Sequence, residues 1–240
     1  MLRVVFFGMD LRVLDALQAS QVDLVGAYLP QAPHWMGPFL DVLPRFIIKR
    51  WLTSVAVYRG VRASLVRHHI PALCGRSVNT AAFRDRLSAL APDLVIVSNF
   101  GEVLGRSLLS IPRHGFVNYH PSLLPRYRGP TPFEHILLGG DEESGITWHQ
   151  ITDKVDQGDI LVQESYTISP EDTVSDLDKK SIRLALRTLG PLLEDIEYGR
   201  TRPRPQDEAD ATVFAKATRV DRERLASREQ GAAVTERSKQ

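Results

Sequence analysis

The sequence predicts an α/β fold: a mostly parallel, twisted sheet with flanking helices, an antiparallel edge and a short polar C-terminal extension. Three observations carry this. Residues 2–7 and 93–98 are short, almost unbroken apolar runs, the pattern of strands buried on both faces. Helix-period segments follow strand-like ones through the first half, and such alternation builds parallel sheets with right-handed crossovers. Residues 145–151 and 160–168 alternate instead, with Asp156-Gln157-Gly158-Asp159 turning between them, which predicts an antiparallel pair at one edge.

The elements follow in order. Gly8 ends the first strand, and a helical pattern runs through Leu11, Leu14 and Leu17. Residues 22–29 read as a second strand. Residues 33–53 form a Pro- and aromatic-rich insert, expected to be partly helical. Residues 61–69 read as helix and 70–74 as a short strand. Asn79 suits the N-cap of a helix through Phe83, Leu87 and Leu90. Pro92 opens the strand at 93–98, and 115–119 is the next. Asp172 or Thr173 starts a long helix through Leu177, Ile182, Leu184, Leu186 and Leu189. Beyond Arg200 charged residues dominate, which predicts an extended, partly disordered segment with Val213 and Phe214 able to anchor its first part. The expected division is a catalytic domain over 1–200 and an extension over 201–240.

Composition narrows the function classes. The chain has 240 residues, 43% of them hydrophobic, enough for a sizeable core. Its net charge of +1 gives no global field that would favour nucleic acid or a membrane as partner. The run at 2–7 stops at strand length, so no signal peptide is visible. The most hydrophobic later stretch, 35–52, holds two prolines and several charges, which argues against a bilayer span. The single cysteine, Cys74, cannot form an internal disulfide or a metal set, and fits a reducing, cytoplasmic setting. A small buried apolar role is the expectation for it. "GMDLRVL" carries one glycine, so the dinucleotide fingerprint is absent after the first strand.

The chemistry gathers at "NYHPSLLPRYRG", residues 118–129. Asn118 and His120 are two apart at a strand end, and with a period of two their side chains face the same way. Asp156, with Gly158 beside it, offers a carboxylate in the turn after an edge strand. An imidazole beside a carboxylate makes a general base with a held tautomer. An amide beside it can donate to an oxygen that becomes negative. Together they suit acyl transfer with an oxyanion and a moving proton. Bland roles exist for each: Asn118 can bond its own backbone, His120 can cap the strand, and Asp156 can be an ordinary turn residue. The other six histidines, His149 among them, carry weaker claims. No His, Cys or acid spacing matches a zinc site, so no metal is expected. Ser122 lacks the Gly-x-Ser-x-Gly elbow of a serine hydrolase.

Asn118-x-His120-Pro-Ser-Leu-Leu-Pro-x-x-x-Gly129, followed by Gly145-Ile-Thr147-x-His149 and Asp156-x-Gly158, resembles the family of formyltransferases that use 10-formyltetrahydrofolate. The resemblance covers about residues 2–200, with three separated motifs in the family's order. It implies a Rossmann-like catalytic domain with Asn118, His120 and Asp156 as the catalytic set. It implies a folate loop formed by Ser98, Asn99, Phe100, Gly101, Glu102, Val103 and Leu104. Ser122, Leu123, Leu124 and Pro125 would line the same co-substrate. In that reading Leu-Leu-Pro makes an apolar wall and Gly129 lets the chain turn. Arg126 and Arg128, flanking Tyr127, stand at the mouth, either solvated or meeting anionic groups.

Departures from relatives sort the acceptor. The purine-pathway member resembles a chain with Gly-Asn-Gly-Ser-Asn after its first strand; here that place reads Gly8-Met9-Asp10-Leu11, which argues against that substrate, and Gly8, Met9 and Asp10, with Arg126, Tyr127 and Arg128, are the expected acceptor contacts. The initiator-tRNA formyltransferase carries a further domain that 201–240 is too short and polar to supply. The formyltetrahydrofolate hydrolase carries an N-terminal domain for which Leu2 leaves no room. The expectation is therefore a small stand-alone transferase acting on a nucleotide-linked amino sugar, with an amino acid, free or carrier-bound, as alternative. A folate-binding protein without catalysis is the reading from a different class. Trp35, Phe39, Phe46 and Trp51 could help hold the acceptor, though packing is the commoner role, and an exposed edge strand could pair two copies.

Overall fold

The computed structural model describes residues 1–30 and 45–237, and side chains within 30–55 and beyond 228 lie outside what it describes. The chain divides into two compact units, Met1–Phe116 and Val117–Gln240. The α/β architecture expected from the sequence, mostly parallel with an antiparallel edge, is the one observed.

The first unit holds β1 (Arg3–Gly8), α1 (Leu11–Ala19), β2 (Asp23–Pro30), α2 (Arg45–Arg67), β3 (Ala72–Gly75), α3 (Ala81–Ala89), β4 (Leu94–Ser98) and the short α4 (Arg106–Leu109). Its strands lie in the order β3-β2-β1-β4, all parallel. Val4 to Phe7 and Leu94 to Ile96 have no exposed surface, which is why these runs carry no alternation. At the carboxyl ends of the strands Phe7 makes edge contacts with Phe83 and Phe116 at 5.8 and 5.7 Å, and Tyr28 meets Phe100 at 5.3 Å. Offset and edge-on arrangements of this kind suit the ring quadrupoles.

Two expectations change here. Thr80, not Asn79, caps α3, its hydroxyl accepting from the Phe83 N–H. Asn79 instead reaches forward, its Oδ1 accepting from Gly105 N at 2.7 Å while its Nδ2 donates to the Val103 carbonyl. Cys74 is exposed rather than buried; it sits on the short strand β3, which among the described residues pairs only with β2. The insert at 33–53 falls largely outside the described residues, and only its end is seen, as the backbone of α2 from Arg45.

The second unit takes β5 (Phe116–His120, which begins at the boundary), α5 (Pro132–Gly139), β6 (Glu143–Gln150), β7 (Ile160–Thr167), α6 (Val174–Glu197) and α7 (Arg219–Arg237). β5 pairs antiparallel with β6, and β6 with β7. Thr173 opens α6 through a reciprocal capping box with Asp176. Leu177, Ile182, Ala185, Leu189, Leu192, Leu193 and Ile196 then form its buried stripe.

The charged segment after residue 200 is built into this unit rather than trailing from it. Arg204 forms a two-bond antiparallel bridge with Ile160. Residues 208–210 form a 3-10 turn, and Arg128 and Phe214 exchange backbone bonds with 212 and 128. α7 starts with a Thr218–Asp221 cap and buries Leu225 with Tyr127, Ile136, Leu137, Ile168 and Leu177. Composition misled because between Arg219 and Arg228 this helix buries only Leu225, while Arg228 donates to the Pro170 and Asp172 carbonyls. The boundary between the two compact units falls at 116/117. Among the described residues no helix is long and apolar enough to cross a membrane.

Candidate functional site

The antiparallel register assembles the site. Asn118 lies opposite His149 and His120 opposite Thr147, so four side chains two apart on β5 and β6 share one face of the sheet. The turn that follows β6 returns Asp156 to that face, with φ of 54° at Asp156 itself. Asp156 Oδ2 accepts from the Gly129 N–H at 2.9 Å. The same oxygen stands 3.7 Å from His120 Nδ1, and Oδ1 stands 3.7 Å from His149 Nε2. These are ion-pair separations, longer than hydrogen bonds. The three predicted catalytic residues are thus brought together.

Their bonding fixes donor roles. His120 Nε2 lies 2.8 Å from the Tyr127 carbonyl, which can only accept, so that nitrogen carries hydrogen and donates. Nδ1 is then the ring position that gains or loses a proton, and it faces Asp156. His149 Nδ1 donates to the Gln150 carbonyl at 2.8 Å. Its Nε2 accepts from Asn118 Nδ2 at 3.1 Å, using one of the two N–H groups of that amide.

His149 is the residue the sequence undervalued. It is 2% exposed, and burial first, then the neighbouring His120, lowers its pKa to about 4 against the pull of Asp156. An exposed imidazole titrates near 6.5. As pH falls from 6.5 toward 4, the unfolded chain takes up a proton that the folded chain refuses, so stability present above 6.5 is progressively lost. At about 1.4 kcal/mol per factor of ten, the loss is capped at roughly 3 kcal/mol. Urea midpoints measured between pH 7 and 4.5 should fall in the wild type and fall less in His149→Gln. Equal losses in both chains would remove His149 as the cause. The available signal was the two-residue spacing from Thr147, read only as part of a motif.

Thr147 has no exposed surface and pins the wall segment. Its Oγ1 donates to the Ser122 carbonyl at 2.7 Å and accepts from Leu124 N and from Gln163 Nε2. Gln163 Nε2 also donates to the Leu124 carbonyl at 2.8 Å, and Ser122 Oγ to the Arg126 carbonyl. Ser122 and Leu124 are buried, Leu123 and Pro125 partly so, and the Leu124–Pro125 bond is cis. Thr147→Val keeps the shape but strips those partners. The expected cost is about 1–3 kcal/mol, read as a lower denaturant midpoint at unchanged m-value.

The arginines differ from expectation. Arg128 does not stand at a mouth: it is 1% exposed, and its guanidinium donates to Gln206 Oε1 and to both carboxylate oxygens of Glu208. Tyr127 is buried and stacks on Phe214 at 5.3 Å. Only Arg126 is open, and it pairs with Asp141 at 2.7 Å.

In the first unit the predicted folate loop follows β4. Ser98 Oγ is buried with no hydrogen-bond partner among the described residues, and Asn99 adopts φ of 52°. Asn99, Phe100, Gly101 and Glu102 join Met9 and Tyr28 around a pocket of about 190 Å³. Glu102 is held by Ser77 Oγ, Val78 N and Asn79 Nδ2. Leu104 is buried, whereas Val103 is 66% exposed. Gly8 ends β1, and Asp10 spends its carboxylate capping α1 and binding Arg12. Among the described residues no group of three or more His, Cys, Asp or Glu is placed to hold a metal ion.

Comparison with known proteins decides the family. The family described as formyl transferase matches residues 62–189, more than half of the chain and the stretch that carries Asn118, His120, His149 and Asp156. The chain belongs to the formyl transferase family. It is 35% identical over 224 residues to the methionyl-tRNA formyltransferase of Thermotoga maritima, covering 92% of this chain and 66% of that protein. It is 36% identical to the enzyme of the same name from Anaplasma marginale, covering 90% and 67%. The chain therefore spans about two thirds of the length of these curated relatives. Among solved structures, a sugar N-formyltransferase from Shewanella sp FDAARGOS_354 superposes with a TM-score of 0.66 at 15% identity, covering 90% of this chain and 77% of that one. Glycinamide ribonucleotide transformylase 1 from Symbiobacterium toebii gives 0.66 at 21%, covering 86% and 95%. At those identities the likeness establishes the formyl transferase fold. Within that fold, β5 and β6 supply three of the four clustered polar residues, and the turn before β7 supplies the fourth.

Proposed function

We propose that this formyl transferase-family chain moves a formyl group from 10-formyltetrahydrofolate to a primary amine. The observation that carries the reading is the convergence of Asn118, His120 and Asp156 on one sheet face within the matched region. The amine nitrogen attacks the formyl carbon, and the carbonyl oxygen becomes negative. The second N–H of Asn118 donates to that oxygen, a contribution worth about 3 kcal/mol for one such donor. The attacking nitrogen then loses a proton at His120 Nδ1, and the folate nitrogen gains one as its bond to the formyl carbon breaks. Asp156 faces the imidazolium formed in between. The wall at Ser122–Pro125 and the loop at Ser98–Leu104 are assigned to the folate. Exposed Cys74 without a disulfide partner is compatible with a cytoplasmic, reducing setting.

For the acceptor, the nucleotide-linked amino sugar expected from the sequence remains our first assignment. The names of the curated relatives favour a second, the amino group of methionine carried on tRNA. One assay separates these. The chain is given 10-formyltetrahydrofolate, and tetrahydrofolate release is followed alone, with nucleotide-linked amino sugars, and with methionyl-tRNA. Release that requires one acceptor assigns it. Release without any acceptor means hydrolysis, and no release in any arm leaves a folate-binding protein; either result refutes the transferase reading.

A further inference from the structure

The segment after residue 200 reaches the backbone of the turn that carries the Asp156 carboxylate. Gln206 Nε2 donates to the Asp156 carbonyl at 2.8 Å and to the Gly158 carbonyl at 2.7 Å. Its Oε1 accepts from Arg128 Nε at 3.1 Å and Nη2 at 2.8 Å. Glu208 completes the set by holding the other side of the same guanidinium. The backbone between Arg128 and Gly129 then leads to the Gly129 N–H, which donates to Asp156 Oδ2. The turn carrying Asp156 is thus gripped from two sides, at its carbonyls by Gln206 and at its carboxylate by Gly129.

This grip has a physical task. Asp156 sits at φ 54°, a conformation a non-glycine residue holds only when its surroundings impose it. The turn also carries the Gln150 N–H bond to the Asp159 carbonyl and the bonds between Thr152 and Lys154, all of them local. A turn held so locally needs a further anchor if its carboxylate is to stay near two imidazoles. Arg128, buried and charged, in turn fixes which way the Gln206 amide faces, because a guanidinium has only donors.

We propose that Gln206 is a positioning residue for Asp156, and that buried Arg128, paired on its other side with the exposed Glu208, orients it. The segment counted by its composition as an extension is then part of the catalytic apparatus. This rests on the transferase reading for its kinetic test alone.

Gln206→Ala removes both donor bonds. Gln206→Glu keeps size and the bond from Arg128 but cannot donate to either carbonyl, so it separates positioning from packing. In the transfer assay both variants should lose kcat by up to about 100-fold, the scale of a small misplacement near reacting groups, with KM for the formyl donor within about twofold. The second readout needs no activity: long-range ¹H–¹⁵N spectra at one pH should show shifted ring-nitrogen signals for His120 and His149 in Gln206→Glu. Wild-type turnover with normal kcat in Gln206→Glu overturns the proposal. So do unmoved ring signals, even if the wild type proves inactive and the transferase reading itself fails. Should Gln206→Ala not fold, Gln206→Glu decides alone.

Discussion

His120→Ala is expected to lower kcat for formyl transfer by about 10²- to 10⁴-fold while leaving binding of the folate donor nearly unchanged. Loss of the ring removes Nδ1, the ring nitrogen that faces Asp156 Oδ2 and can exchange a proton there, since Nε2–H is committed to the Tyr127 carbonyl. His149 does not substitute: burial keeps it neutral, and its Nε2 already accepts from Asn118. The measurement is single-turnover formyl transfer beside equilibrium binding of a folate, with thermal melting to confirm a folded chain. A variant retaining the wild-type rate would exclude His120 as the proton carrier. Equal loss of binding and rate would point to a structural role, because only transition-state interactions lower kcat without weakening the ground-state complex.

Gly158→Ala should have the next largest effect, although the added methyl touches no reacting group. A Cβ there would lie 1.8 Å from the Gln150 carbonyl oxygen and 2.7 Å from its carbon. These are backbone atoms at the end of β6, where Gln150 pairs with Val117 and its N–H bonds Asp159. Neither side can yield like a flexible side chain, so the turn must move and take Asp156 with it. We expect about a 100-fold loss of kcat, the scale set by displacement of a catalytic group by about an ångström. A lower melting temperature should accompany it. Unchanged kcat at a lowered melting temperature would mean that the carboxylate position does not limit the reaction.

Much of the fold follows from local pattern. Residues 2–7 and 93–98 are apolar without alternation because β1 and β4 are covered on both faces, and that is legible in one dimension. So were the strands β6 and β7, and the start of α6, narrowed to Asp172 or Thr173. The catalytic candidates were legible for a related reason: Asn118 and His120 are separated by one strand period. His149 was harder, since its claim depends on lying opposite Asn118 in an antiparallel register that no single strand reveals. Arg128 was misread because sequence reports a charge but not its depth. The role offered here for Gln206 had no signal at all, its partners lying 78, 50 and 48 residues away.

By itself, then, the sequence determined the α/β class, the family motifs and the pairing of amide and imidazole on β5, all of which rest on short-range periodicity and steric preference. Tertiary structure alone decided which histidine joins them, which arginine is buried, and how the charged segment after residue 200 docks. Those outcomes depend on burial and on contacts between residues distant along the chain, where desolvation and hydrogen-bond geometry choose among side chains that composition treats as alike.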